Sequence, residues 1–126
     1  MTETKPRRTR ATAKQAGAKF ERIIADYLAA QLEDDRIDRR PKRGVKDRGD
    51  IGGVKFFGQR VVLECKDVSK LDLPGWVREA ETERGNDDAL LGVVVHKKRG
   101  TAKPGEQYVT LTVDGLVSLL LAGVNR

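Results

Sequence analysis

The run Ala89-Leu90-Leu91-Gly92-Val93-Val94-Val95 constrains the fold of this chain more than any other stretch. It is continuous, rich in β-branched residues and free of polar alternation, so as a strand it needs cover on both faces. Such a strand belongs near the centre of a sheet with helical layers above and below it. Helices able to supply those layers are legible on either side. From about Ala13 to Leu32, the residues Phe20, Ile23, Ile24, Tyr27, Leu28 and Leu32 recur at helical spacing. Leu73-Pro74-Gly75 opens a second predicted helix that carries Trp76, Val77 and Ala80 on one side and runs through Glu83 or Arg84 to a stop at Gly85-Asn86. Trp76 reads as a core anchor. Asp114 is placed to N-cap a final helix, Leu116 to Leu121, whose apolar surface should pack on the sheet or on a partner subunit.

Strand signals fill the intervals. A short strand is expected within Arg36 to Arg40, followed by a basic, mobile loop from Pro41 to Gly49. Asp50 to Val54 and Gln59 to Val68 form an expected strand pair with Gly58 in the turn, and Tyr108 to Val113 alternates like a half-exposed strand. The resulting order is α-β-β-β-α-β-β-α, an α/β fold with a mixed β-sheet flanked by helices. With 126 residues and 38% hydrophobic content, the chain suits one domain, residues 15–126, behind a basic flexible arm, residues 1–14.

The formal net charge is +6, which favours a polyanionic partner. Lys5, Arg7, Arg8, Arg10 and Lys14 face only Glu3 in the arm, which so holds four of the six net charges. A second excess lies between residues 36 and 48, where Arg36, Arg39, Arg40, Lys42, Arg43, Lys46 and Arg48 outnumber Asp38 and Asp47. Both segments are candidates for phosphate contacts, and both are also the composition of a solvated surface. Lys97 and Lys98 after the apolar strand extend the same list, whereas the lone His96, without metal-spaced partners, reads as structural or solvent-exposed. The single Cys65 excludes an intrachain disulfide framework, and no Cys/His cluster has zinc-site spacing, which fits a reducing, cytoplasmic setting. Leu116 to Val124 is too short to span a bilayer, so no membrane partner is expected.

The chemistry concentrates at Asp50 and at Glu64-Cys65-Lys66, which ends the apolar run Val61-Val62-Leu63. Alternation along a strand puts Glu64 and Lys66 on one face and Leu63 and Cys65 on the other. Asp50 and Glu64 on adjacent strands offer the carboxylates that a magnesium ion needs, with manganese as a possible substitute and the carbonyl of Cys65 as a further ligand. Lys66 is placed to orient or deprotonate the attacking water and to stabilise charge on a phosphodiester. Glu21, at the edge of the first helix's apolar stripe, is placed to join them or to pair in solvent with Lys19 or Arg22. A nucleophilic role for Cys65 is disfavoured because its neighbours are not a Cys-His pair.

Gly49-Asp50 followed by Glu64-Cys65-Lys66 resembles the PD-(D/E)XK nuclease motif, with Gly49 where that motif has proline. Over about residues 14–98 the element order is similar to that of archaeal-type Holliday junction resolvases. The resemblance implies a restriction-endonuclease-like fold in which Glu21, Asp50 and Glu64 bind metal and Lys66 is catalytic. It also implies a homodimer that cuts four-way or other branched DNA. No Gln-x-x-x-Tyr pattern of the exonuclease-like branches follows the motif; Glu81 and Glu83 stand in that helix instead. Two other readings stay open: a nicking, restriction-like or exonuclease relative, and a non-catalytic nucleic-acid-binding module whose acids merely form surface pairs.

Overall fold

A computed structural model describes residues 9–124. The elements are α1 (Arg10–Gln31), β1 (Asp38–Arg39), β2 (Ile51–Gly52), β3 (Lys55–Phe56), β4 (Gln59–Lys66), α2 (Leu73–Asp87), β5 (Leu91–His96), β6 (Tyr108–Thr110) and α3 (Val113–Val124). The strands form one mixed α/β sheet in the order β1-β2-β4-β5-β6, with β3 paired to β4. Only β4 and β5 run parallel, joined by α2 as a crossover, and their register sets Val61 opposite Leu91 and Lys66 opposite His96. The sheet therefore has six strands rather than the expected five. Lys55 and Phe56 add a short hairpin arm to β4 through the turn at Phe57 and Gly58.

The apolar run that demands two covering layers receives them. Leu91, Val93 and Val95 join Phe20, Ile24 and Ala25 of α1, together with Ile37, Ile51, Leu63 and Cys65. Val94 points the other way, into a smaller cluster with Trp76 and Ala80 of α2. Trp76 is thus a core anchor, as its spacing predicts. Gly92 allows α2 to approach closely, since a Cβ there would meet the Ala80 carbonyl oxygen at 2.6 Å.

Three helix ends differ from expectation for local reasons. Thr9 caps α1 by accepting from the Thr12 N–H at 3.1 Å, so Arg10 and Lys14 belong to the helix and not to a flexible arm. Arg7 and Arg8 lie outside the described residues. Helix α2, capped by Asp72, passes through Gly85 and Asn86 and stops where Asp88 turns left-handed at φ 48°. Thr112, not Asp114, caps α3: its hydroxyl accepts from the Gly115 N–H at 3.0 Å, which leaves Asp114 inside the first turn. Leu119 packs toward the core from α3, while Leu116, Val117, Leu120 and Leu121 are exposed. Among the described residues, no helix is long and apolar enough to cross a membrane.

Candidate metal centre

Gly49 adopts φ +99°, and a Cβ there would lie 2.7 Å from Val62 Cγ1 and 3.1 Å from the Leu63 carbonyl oxygen. Proline, fixed near φ −65°, cannot make this turn, and a side chain of any kind would be strained here, so the backbone requires a glycine. The turn presses Asp50 against β4. Its N–H donates to the Leu63 carbonyl at 2.8 Å, and its Oδ2 accepts from the Cys65 N–H at 2.7 Å. A backbone donor thereby fixes the carboxylate beside the strand that carries Glu64 and Lys66.

Glu21 reaches the same place from α1. Its Oε1 accepts from Lys42 Nζ at 3.1 Å, the same ammonium bonds Asp50 Oδ1, and Arg39 Nη2 lies 3.6 Å from Glu21 Oε2. Glu21 and Asp50 are 5% and 3% exposed. Glu21 is therefore no boundary glutamate paired in solvent with Lys19 or Arg22; Arg22 turns instead to Asp26 and Asp38. Both acids are buried, and a cation already bridges them, a position a hard metal ion would also favour.

Glu64 stands opposite Val94 in the parallel register, so its side chain faces α2 rather than α1. There it meets Glu79 and Glu83; ligand oxygens of the three lie within 4.8 Å of one another. Among the described residues this is the acid group with metal-holding geometry, and Glu21 and Asp50 are not gathered into it. Glu64 and Glu83 are 4% and 5% exposed, and one oxygen of each, Oε2 in both, has no hydrogen-bond partner. Burial, then the proximity of Glu83, pushes the Glu64 carboxyl up to about 9, while burial also raises Glu83. Lys66 Nζ lies 3.0 Å from Glu79 Oε2 and 3.9 Å from Glu64 Oε1, so Glu64 and Lys66 share a face as strand alternation predicts.

Cys65 lies between the two acid groups. Burial pushes its thiol up, and the charges of Glu21, Glu64 and Glu83 add to that shift, which disfavours a thiolate nucleophile. His96 is buried against Trp76 and Tyr108, with ring centroids 5.6 Å away in each case, and its Nε2 lies 2.8 Å from Thr110 Oγ1. Burial lowers its pKa, in keeping with a structural role.

Much of the basic segment is engaged within the chain. Arg40, Arg60 and Arg48 approach the buried Asp87 carboxylate at 3.3, 3.3 and 3.8 Å, and Asn86 Nδ2 donates to the carbonyls of Val45 and Asp47 at 3.0 and 2.8 Å. The end of α2 thus anchors the loop that carries Lys42, Arg43 and Lys46. Lys97 Nζ bonds the carbonyls of Lys98 and Thr101, and Lys98 Nζ sits over the Tyr108 ring at 5.9 Å. Glu83 and Asp87 escape a motif search, yet extending the Trp76–Ala80 stripe by helical steps of three and four lands on both. Glu81, which the sequence singled out with Glu83, pairs outward with Arg84 at 2.8 Å. No family model, curated protein or solved structure matches the chain.

Proposed function

We propose that the chain is a metal-dependent DNA endonuclease of the restriction-endonuclease-like type, acting on branched DNA such as a four-way junction. The observation that carries this reading is the approach of Glu21 and Asp50 to one end of β4, where the Lys42 ammonium bridges them beside the strand bearing Glu64 and Lys66. Glu21 and Asp50, with the Cys65 carbonyl, would hold magnesium or manganese, while Glu64 faces α2 and is not gathered with them, contrary to what its place in the motif predicts. When bound, such an ion supplies Lewis-acid stabilisation of phosphate charge and a more acidic water.

The chain's own residues have distinct tasks. The Cys65 N–H holds the Asp50 carboxylate in one orientation. Burial, with the Lys42 ammonium against both carboxylates, keeps Glu21 and Asp50 out of bulk water, which strengthens their field at a nearby cation. Lys66, an ammonium within 3.9 Å of Glu64, offers a proton and a positive charge to a phosphodiester oxygen. Arg39, Lys42 and Arg48 keep at least a third of their side-chain surface exposed and can turn toward phosphates as DNA arrives. The apolar face of α3 suits the second copy that paired cuts in a four-way junction need.

A second reading, a non-catalytic nucleic-acid-binding module, draws on the pairing of Lys42 and Lys66 with acids of the same chain. End-labelled four-way junction, nicked duplex, plain duplex and single-stranded DNA, incubated with the chain in magnesium or chelator, separate the readings. Magnesium-dependent cutting of the junction in preference to the duplex is expected. Cutting only from free ends points to an exonuclease, and salt-sensitive binding without cutting under any metal points to the binding module.

A further inference from the structure

Three acids on the α2 side of the sheet are unlike the Glu21–Asp50 pair. Glu79 and Glu83 are four residues apart on α2 and share a face, while Glu64 comes from β4 opposite. Two independent observations converge there. The ligand oxygens of the three residues lie within 4.8 Å of one another. Glu64 Oε2 and Glu83 Oε2 are buried with no hydrogen-bond partner, although buried carboxylate oxygens are ordinarily satisfied. Like charges at this separation are unfavourable unless a proton or a cation lies between them.

We propose that Glu64, Glu79 and Glu83 form a binding site for one hard divalent cation, separate from the Glu21–Asp50 pair, with Lys66 as a fixed counter-charge. The donor set is all oxygen, which suits magnesium, manganese or calcium rather than zinc or copper. Three carboxylates and the Lys66 ammonium leave two negative charges, which one divalent ion neutralises. Glu79, with 48% of its side chain exposed, provides the way in from solvent, and the buried pair provides the floor. Each carboxylate oxygen that lacks a donor would then face the ion. The site stands whether or not the chain cuts DNA.

Manganese alone is the probe, added to the full chain at neutral pH and followed by the paramagnetic resonance of the free ion and by the unfolding midpoint. The wild-type chain is expected to bind manganese and to unfold at a higher temperature with it. Asp50→Asn should retain an ion, whereas Glu83→Gln and Glu79→Ala should each weaken it by about tenfold or more. Because Glu79 is half exposed, its alanine variant keeps the test valid if Glu83→Gln fails to fold. Unchanged manganese binding in Glu79→Ala would overturn the proposal, as would loss of all bound ion in Asp50→Asn. No uptake at millimolar manganese would mean that a shared proton, not a metal, bridges Glu64 and Glu83. Manganese bound in this pattern by a chain that leaves every DNA intact supports this site and removes the nuclease reading.

Discussion

Glu21 and Asp50 lie against the ammonium of Lys42, whereas Glu64 and Glu83, equally buried, lie close to each other with an oxygen apiece lacking any donor. Cys65 separates the two groups, and the acids of both act on its thiol. The difference follows from what each face of the sheet meets. On one side a basic loop, anchored by the end of α2, delivers a cation to the acids. On the other, α2 itself delivers more acids. Burial is tolerable in the first group because the charge is paired, and in the second only through a proton or an ion from outside.

This contrast assigns opposite signs to mutations that look alike. The largest effect is expected at the anchor: Asp87→Ala leaves Arg40, Arg48 and Arg60 without their shared partner and frees the loop that presents Lys42. Denaturant unfolding should show a loss of about 3 kcal/mol, the low end of the range for breaking a buried ion pair, because the three arginines left behind are partly exposed. Lys42→Met should cost less, about 2 kcal/mol, because the lysine is more than half exposed and Arg39 still approaches Glu21. Magnesium should restore part of that loss. A neutral Lys42→Met would mean that its bridge holds nothing together.

Glu83→Gln should move the other way in metal-free solution, raising stability by about 1 kcal/mol, since an amide can donate to the unpartnered Glu64 oxygen. With manganese present the same substitution should lose the ion's stabilisation. The smallest effect is a pH dependence. Burial raises the Glu64 carboxyl from 4.5 to about 9, so the folded chain holds a proton there that the unfolded chain has released. That contribution is complete below about pH 4.5 and fades as pH rises toward 9, so metal-free wild type should lose stability relative to Glu64→Gln across this window. Thermal melts at several pH values measure the slope, and a parallel course for the two proteins would contradict a raised Glu64.

How much of this was legible follows the range of the interactions. The β5 run and the β4 motif announce themselves because a strand's burial and alternation are written in consecutive residues. Lys66 and Glu64 on one face, and Cys65 on the other, followed from that alternation alone. The turn at Gly49 was hidden, because its glycine answers to Val62 and Leu63 on another strand. Likewise the basic segment looked free for phosphate in sequence, since its partners Glu21, Asp50 and Asp87 sit on distant elements. Helix α2 was ended too early at Gly85, and that truncation hid Asp87 on its buried stripe. Glycine weakens a helix by only about 1 kcal/mol, which packing of Trp76 and Ala80 can outweigh.

The central proposal is that the acids of β4 and its neighbours serve a metal that acts on DNA. The most direct measurement is single-turnover cleavage of a labelled four-way junction across a magnesium series, with wild type beside Glu64→Gln and Asp50→Asn. Cleavage that rises with magnesium, stops with chelator and falls by about a hundredfold or more in both variants is the expected result. Cleavage that persists in chelator, or full activity in Glu64→Gln, would contradict it.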